Sequence, residues 1–66
     1  MFEIRFDTGN SAFDQAPDEE ISRVLDEVAK EIAARPAVHF NRREDGIIRD
    51  SNGNRIGGWS YRPARI

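Results

Sequence analysis

Residues 36–66 carry six arginines, with aromatic residues placed among them. Guanidinium groups bind carboxylates and phosphates through paired hydrogen bonds, and arginine with aromatic side chains is typical of protein-interaction hot spots. The same composition suits single-stranded nucleic acid, because bases stack on aromatic rings and phosphates pair with arginine. A plainer interpretation also stays open, in which the tryptophan belongs to the core and the arginines only solubilise a sheet. The predicted partner-binding surface consists of Arg42, Arg43, Arg49, Arg55, Trp59, Tyr61 and Arg62.

Residues 6–9, Phe-Asp-Thr-Gly, match the short signature of aspartic proteases. That chemistry needs two aspartates that share one proton, so a single short chain would take its second aspartate from a dimer mate. A chain of 66 residues is too short to build a substrate cleft and flaps. We therefore favour a turn in which Asp7 ends a strand and Gly9 permits the reversal, and we predict that the protein is not an enzyme.

Polar residues at alternate positions in the segment 50–57, Asp50, Asn52 and Asn54, resemble the start of a calcium loop. An EF-hand loop requires glycine at its sixth position and a bidentate glutamate at its twelfth. Here glycine is the fourth residue and Tyr61 is the twelfth. The chain has no cysteine and one histidine, so we predict neither a metal site nor a cofactor.

Three strands and one helix are predicted from the pattern of apolar residues. Residues 2–6 alternate apolar and charged side chains, as in a half-buried strand. A helix is predicted over 17–34, with Pro17 in its first turn and Pro36 beyond its end. Its apolar face consists of Ile21, Val24, Leu25, Val28 and Ile32, extended by Ala29 and Ala33. Its charged face is predicted to carry the i, i+4 ion pairs Glu19–Arg23, Asp26–Lys30 and Glu31–Arg35.

After a connector at 36–45, residues 46–50 and 55–61 are predicted to form a hairpin. Asn52-Gly53 is the turn signal, because both residues tolerate positive φ. The tail 62–66 is predicted to fray or to dock along an edge. The sequence thus predicts one α+β domain over 1–66, in β-α-β-β order, with one amphipathic helix packed on a three-stranded sheet. The crossover is expected to place the first strand parallel beside the hairpin.

One helix covers only one face of a sheet, so the other face is expected to need a partner. Phe40, Trp59 and Tyr61 are the candidates for that uncovered face. Exposed aromatic surface usually marks an interaction site, and we therefore expect a homodimer that forms through the sheet face or edge. Residues 1–7 form no apolar run and no segment is long enough to span a membrane, so we expect a soluble cytoplasmic protein without membrane contact.

The combined pattern of FEIRFDTGNSAF, EISRVLDEVAKEI and GIIRDSNGNRIG resembles a widespread group of very short phage and prophage proteins. These proteins share an opening of this type and an R-D-x-N-G-N-x-x-G hairpin. The group includes inhibitors of bacterial immunity, among them anti-CRISPR proteins. The resemblance implies a binding protein of phage origin and transfers no functional residues.

From this resemblance we predict a non-enzymatic inhibitor of bacterial defence, namely an anti-CRISPR protein. It would bind an RNA-guided surveillance complex in the host cytoplasm and block recognition of target DNA. The alternative is a small nucleic-acid-binding or regulatory accessory protein of phage. Whether the arginine-rich half contacts protein or nucleic acid stays open at this point.

Overall fold

The computed structural model describes residues 1–64, which form one helix packed on a three-stranded antiparallel sheet. The strands are β1 (Phe2–Phe6), β2 (Glu44–Arg49) and β3 (Arg55–Tyr61), and the helix is α1 (Pro17–Ala34). This arrangement confirms the predicted α+β fold and its β-α-β-β order. Within the described residues, no helix has the length and apolar character needed to cross a membrane.

The sheet has the order β1-β3-β2, so β3 lies in the middle and pairs antiparallel with both neighbours. The expectation of a parallel strand beside the hairpin is therefore wrong. β1 and β2 do run in the same direction, but β3 separates them. β3, the second strand of the hairpin, pairs directly with β1, where Ile4 lies opposite Trp59.

Helix α1 begins and ends where its prolines predict. Pro17 occupies the first turn together with three acidic residues, which favour the positive end of the helix dipole. Val24 and Val28 are buried in the core, with Ile21 and Ile32 half-buried beside them. Leu25 is 46% exposed, which contradicts its predicted place in the core. It lies about 100° around the helix from Val24, at the margin of the stripe that faces the sheet.

The connector between α1 and β2 contains a 3₁₀ turn at Ala37–Asn41, and β2 begins two residues earlier than predicted. The hairpin is confirmed, but its turn differs from the predicted Asn52-Gly53 type. The Gly53 N–H donates to the Asp50 carbonyl at 3.0 Å, and Gly53 alone among described residues has positive φ, at 84°. The turn is therefore centred on Ser51 and Asn52, with glycine taking the left-handed position.

Residues at both ends of the sheet extend its pairing. The N-terminal amine of Met1 donates to the Arg62 carbonyl at 2.6 Å, and the Arg62 N–H returns a bond to Met1 at 2.9 Å. The start of the tail is therefore docked on β1, as one of the two predicted alternatives has it. Arg65 and Ile66 lie outside the described residues.

Candidate partner-binding surface

Trp59, predicted to belong to a partner-binding surface, lies in the core and is 2% exposed. Its indole lies over Gly46, the residue opposite it on β2, because a glycine there leaves room for the ring. The indole N–H has no hydrogen-bond acceptor among the described residues. Trp59 therefore contributes to stability and presents no surface to a partner in this conformation.

The predicted aromatic residues lie on the sheet face that the helix covers, so the expectation of an uncovered aromatic face is wrong. Tyr61 and Trp59 are two residues apart on β3 and point to the same side, the side covered by the helix. Tyr61 packs edge-on against Phe40 with ring centroids 5.4 Å apart, and both are half-buried against the core. The opposite face of the sheet instead carries polar and small residues together with Ile47, which is 49% exposed.

Arg35, which the sequence predicted only as a member of a helix ion pair, covers the Trp59 ring. The Arg35 guanidinium lies 4.8 Å from the centre of the Trp59 ring, in the geometry of a cation–π contact. It donates to the Glu31 carboxylate at 2.6 Å and to the Glu44 carboxylate at 2.9 Å. Partial burial opposes the charge of Arg35, but the hydrogen bonds to Glu44 and Glu31 outweigh this and raise its pKa above the usual value. Arg35 is thus a structural residue that joins helix, connector and β2.

A second acidic residue of the helix, Glu20, joins α1 to the hairpin. Its buried carboxylate accepts two hydrogen bonds from Arg23, at 2.9 and 3.1 Å, and one from the Ser51 N–H at 2.8 Å. The Arg23 contacts, opposed by burial and reinforced by the Ser51 N–H, hold the pKa of Glu20 below its usual value. The predicted Glu19–Arg23 pair is therefore replaced by Glu20–Arg23. The other two predicted helix pairs form, at 2.9 Å for Asp26–Lys30 and 2.6 Å for Glu31–Arg35.

The exposed arginines of the predicted surface fall into two groups at opposite ends of the sheet. Arg42 and Arg43 precede β2 and Arg62 follows β3, which places these three at the end where Glu44 faces Tyr61. Arg49 and Arg55 lie at the hairpin end. Five residue steps along β2 separate the groups by about 17 Å. The structure therefore does not bring the seven predicted residues together in one molecule.

The hairpin group has unusual electrostatics, because Arg49 and Arg55 lie directly opposite each other on neighbouring strands. Both side chains are exposed, and neither forms an ion pair with a residue of 1–64. Arg49 donates only to the Gly53 carbonyl, at 3.2 Å. Like charges directly opposite on a sheet are unfavourable, so an anionic group bound from outside the fold would stabilise this pair. We call Arg49 and Arg55 the hairpin arginine pair.

A groove of about 560 Å³ separates α1 from β2 beside this pair. The helix contributes Arg23, Glu27 and Lys30 to its walls, and the strand contributes Ile47 and Arg49. The groove opens at the outer edge of β2, which no other described strand covers. The edge of β2 is therefore accessible.

Asp7 of the protease-like motif and Asp50 of the calcium-loop-like motif both take part in local turns. The Asp7 carboxylate accepts the Gly9 N–H at 2.8 Å, as expected for a reversal after β1. The Asp50 carboxylate is buried and accepts the N–H groups of Asn52 and Asn54, both at 2.9 Å. Its acceptor positions are thus directed at the hairpin loop. Among residues 1–64, no cluster of three or more His, Cys, Asp or Glu side chains is arranged to hold a metal ion.

Glycines inside the predicted strands carried a sequence signal for two features around Trp59. The Gly57-Gly58 pair inside a predicted strand indicates a bulge or a close backbone approach, and Ile56 is indeed the extra residue of a bulge on β3. Gly46 at the start of a predicted strand has the same meaning, since the Trp59 ring covers it.

Compared with known proteins, the chain matches no family model, no curated protein and no solved structure. The resemblance to short phage proteins and everything it implies therefore stay predictions.

Proposed function

We propose that this protein is a non-enzymatic inhibitor of bacterial defence of phage or prophage origin. In this proposal it acts as an anti-CRISPR protein that binds an RNA-guided surveillance complex and blocks recognition of target DNA. It works as a homodimer in the host cytoplasm and needs no cofactor. The observation that carries the proposal is the hairpin arginine pair, which has no acidic partner among residues 1–64.

Arg49 and Arg55 are suited to an acidic protein surface. Two guanidinium groups held on adjacent strands offer a rigid set of donors for carboxylates, and burial of such contacts at an interface strengthens them. Binding an acidic partner also relieves the repulsion between the two arginines. Such binding is stoichiometric, since the surface occupies a site on its target and transforms nothing.

The placement of the aromatic residues favours a protein partner over single-stranded nucleic acid. Nonspecific binding of single strands uses exposed rings on which bases stack. Trp59 is buried, and Tyr61 packs on Phe40. The arginines are thus left without the exposed aromatic residues that were predicted to accompany them.

The test measures binding of target DNA by a purified RNA-guided surveillance complex, in a mobility-shift assay with increasing amounts of this protein. We expect DNA binding to fall to zero near one equivalent of inhibitor per binding site. The Arg55→Glu variant should lose inhibition, whereas Arg5→Glu, the same charge change on an exposed residue of β1, should keep it. Full inhibition by a folded Arg55→Glu variant would contradict the placement of the surface.

A second measurement separates the alternative function. The protein is titrated against single- and double-stranded oligonucleotides at several salt concentrations, in the absence of any surveillance complex. A nucleic-acid-binding accessory protein would bind with an affinity that falls steeply as salt rises, by counterion release. We expect no measurable binding, and tight salt-dependent binding would replace the proposed function with the alternative.

A further inference from the structure

We propose that two copies of the chain associate through the outer edges of their β2 strands, in an antiparallel register in which Ile47 faces Ile47 of the partner subunit. The result is a continuous six-stranded sheet. This interface gives a specific surface to the homodimer proposed above and rests on that part of the proposed function. It does not depend on which bacterial complex is bound.

The backbone of β2 presents the groups that such pairing needs. The Asp50 N–H donates to the Asn54 carbonyl, and the Asp50 carbonyl accepts from the Gly53 N–H. Both backbone groups of Asp50 therefore point toward the β3 side of the hairpin. Because these directions alternate along an antiparallel strand, the backbone groups of Asp45, Ile47 and Arg49 point to the outer edge. The Arg49 carbonyl agrees with this, because it accepts a hydrogen bond from the Arg23 side chain instead of from β3.

The bulge near Arg49 leaves this alternation intact. Its extra residue, Ile56, lies on β3, while β2 runs through without insertion. Asp45 and Ile47 thus present their N–H and C=O groups at an open edge, together with the N–H of Arg49. The Arg23 side chain, which binds the Arg49 carbonyl at 3.1 Å, must release it for the whole ladder to form. Exposed strand edges of this kind pair readily with another strand.

The side chains at these positions are complementary to themselves under two-fold symmetry. Ile47 is 49% exposed, and neither Asp45 nor Arg49 forms an ion pair within residues 1–64. When Ile47 lies on the two-fold axis, Asp45 faces Arg49 of the partner subunit, and the same pair forms again on the other side. Opposite charges directly across a strand pair stabilise it, and the two isoleucines cover each other.

Neighbouring registers lack this match. In a two-fold symmetric pair of antiparallel strands, one residue lies opposite its own copy, and residues equally far before and after it lie opposite each other. Directly opposed residues point to the same face of the sheet. Centring the pair on Gly46 brings Arg43 opposite Arg49, and centring it on Asp45 or on Arg49 opposes two like charges. Centring it on Ile48 leaves Ile47 opposite Arg49. Charge and apolar exposure therefore select the register centred on Ile47.

The other free edge, that of β1, is the competing interface. A pairing centred on Ile4 would bring Glu3 opposite Arg5 of the partner subunit. Glu3 and Arg5 already form an ion pair within one chain, at 3.1 Å, so this edge gains less from association. The β2 edge has unmatched charges and is therefore favoured.

The proposed dimer also brings together the two arginine groups that one chain keeps apart. In this register Arg43 lies opposite Ser51 of the partner subunit, so the arginines that precede β2 come next to the partner's hairpin. Each end of the interface then combines the residues Arg42, Arg43, Arg49 and Arg55 from two chains. The dimer thus gathers four of the five predicted arginines. Arg49 pairs there with Asp45 of the partner subunit, while Arg55 keeps no acidic partner among residues 1–64 and faces a target.

The first test is sedimentation equilibrium of the full chain over a range of concentrations, with two charge variants. We expect the unaltered chain to have twice the mass of one chain. Asp45→Arg and Arg49→Asp should each self-associate at least about tenfold more weakly, because two attractive pairs become repulsive. An equimolar mixture of the two variants should form a heterodimer, since all cross-strand charges are then opposite again. A single-chain mass at millimolar concentration, or dimers insensitive to both variants, would overturn the proposal.

The second test fixes the register by a disulfide, since the chain has no cysteine of its own. Hydrogen-bonded antiparallel partners have Cα atoms about 5.5 Å apart, within the range that a disulfide bridges. Ile47→Cys should therefore cross-link efficiently on mild oxidation, and Ile4→Cys should not. The reverse result would assign the interface to β1 and overturn the proposal.

Different variants test the inhibitor function and the dimer interface. Asp45→Arg weakens the dimer and leaves both arginines of the hairpin pair in place, whereas Arg55→Glu alters the pair and leaves Asp45, Ile47 and Arg49 unchanged. A dimer that inhibits no surveillance complex would contradict the target alone. An inhibitor that stays a monomer would contradict the interface alone.

Discussion

Gly46→Ala tests how the core of this protein is built around its single tryptophan. A methyl group at this position would overlap Nε1 of Trp59 and lie 2.6 Å from both Cε2 of Trp59 and a carboxylate oxygen of Glu31. Ordinary contact begins near 3.4 Å. Both neighbours must therefore retreat, and moving Glu31 also strains its 2.6 Å bond to Arg35.

The magnitude follows from two opposing effects. Overpacking a core costs about 1–3 kcal/mol, and the upper part of this range applies because two anchored side chains must move. Replacing glycine by alanine within a strand returns about 0.5–1 kcal/mol. The net loss is about 2 kcal/mol, out of a total stability of roughly 3–10 kcal/mol for a domain of this size. The melting temperature should fall by about 8–16 °C.

Urea unfolding followed by far-UV circular dichroism measures this loss for the wild type, Gly46→Ala, Trp59→Phe and the double variant. The Trp59→Phe change removes the overlapping Nε1 atom, so Gly46→Ala should cost at least about 1 kcal/mol less in that background. Gly9→Ala is the matched control, because its new methyl group meets only the end of the exposed Asp7 side chain, at 3.2 Å. An equal cost of Gly46→Ala in both backgrounds would refute the placement of the indole over Gly46.

Three further predictions concern residues that hold the sheet and hairpin together. Gly57→Ala should destabilise more than Gly46→Ala, because its methyl group would meet backbone atoms of β1 that cannot rotate away; a smaller loss in urea unfolding would contradict the close strand approach. Asp50→Ala should cost roughly 1–3 kcal/mol, since the N–H groups of Asn52 and Asn54 lose their buried acceptor, and an unchanged urea midpoint would show that water replaces it. The bonds to Arg23 lower the pKa of Glu20 in the folded protein. The stabilising contribution of Glu20 is therefore complete above its pKa in the unfolded chain, about 4.3, and disappears as the pH falls through the lower pKa of the folded state. Glu20→Gln should flatten this part of the stability–pH curve, and identical acid dependence of the two proteins would contradict the assignment.

The proposed contacts all lie on the open face of the sheet and along the outer edge of β2. The helix covers the side that carries Trp59, while the other side exposes Ile47 and the unpaired charges of β2. A small domain buries limited apolar surface and commonly gains stability by association. The same edge can thus serve both stability and function.

The helix and strands were predictable because their signals are local. Alternation over 2–6, the apolar spacing of the helix, and the prolines at 17 and 36 act within a few residues of where they stand. The Asn-Gly signal located the hairpin correctly. The positions of Leu25 and of the turn centre were not predictable in this way, because the width of the helix contact and the loop bonds of Asp50 depend on the neighbouring element.

The candidate surface was predictable in composition and not in arrangement. The sequence shows that arginines and aromatic residues share the second half of the chain. It does not show that Trp59 turns inward over Gly46, since this depends on the register between β2 and β3. A shift of one residue would turn every side chain of a strand to the other face.

The sequence by itself determined the elements, their order and the chemical character of the surface, because each follows from neighbours along the chain. Only the tertiary structure decided that β3 lies between the other strands, that Arg35 covers the Trp59 ring, and that Arg49 and Arg55 meet with no acidic partner in the described part of the chain. These outcomes depend on pairing between residues far apart in the chain. The contacts that select one pairing over another exist only after the chain has folded.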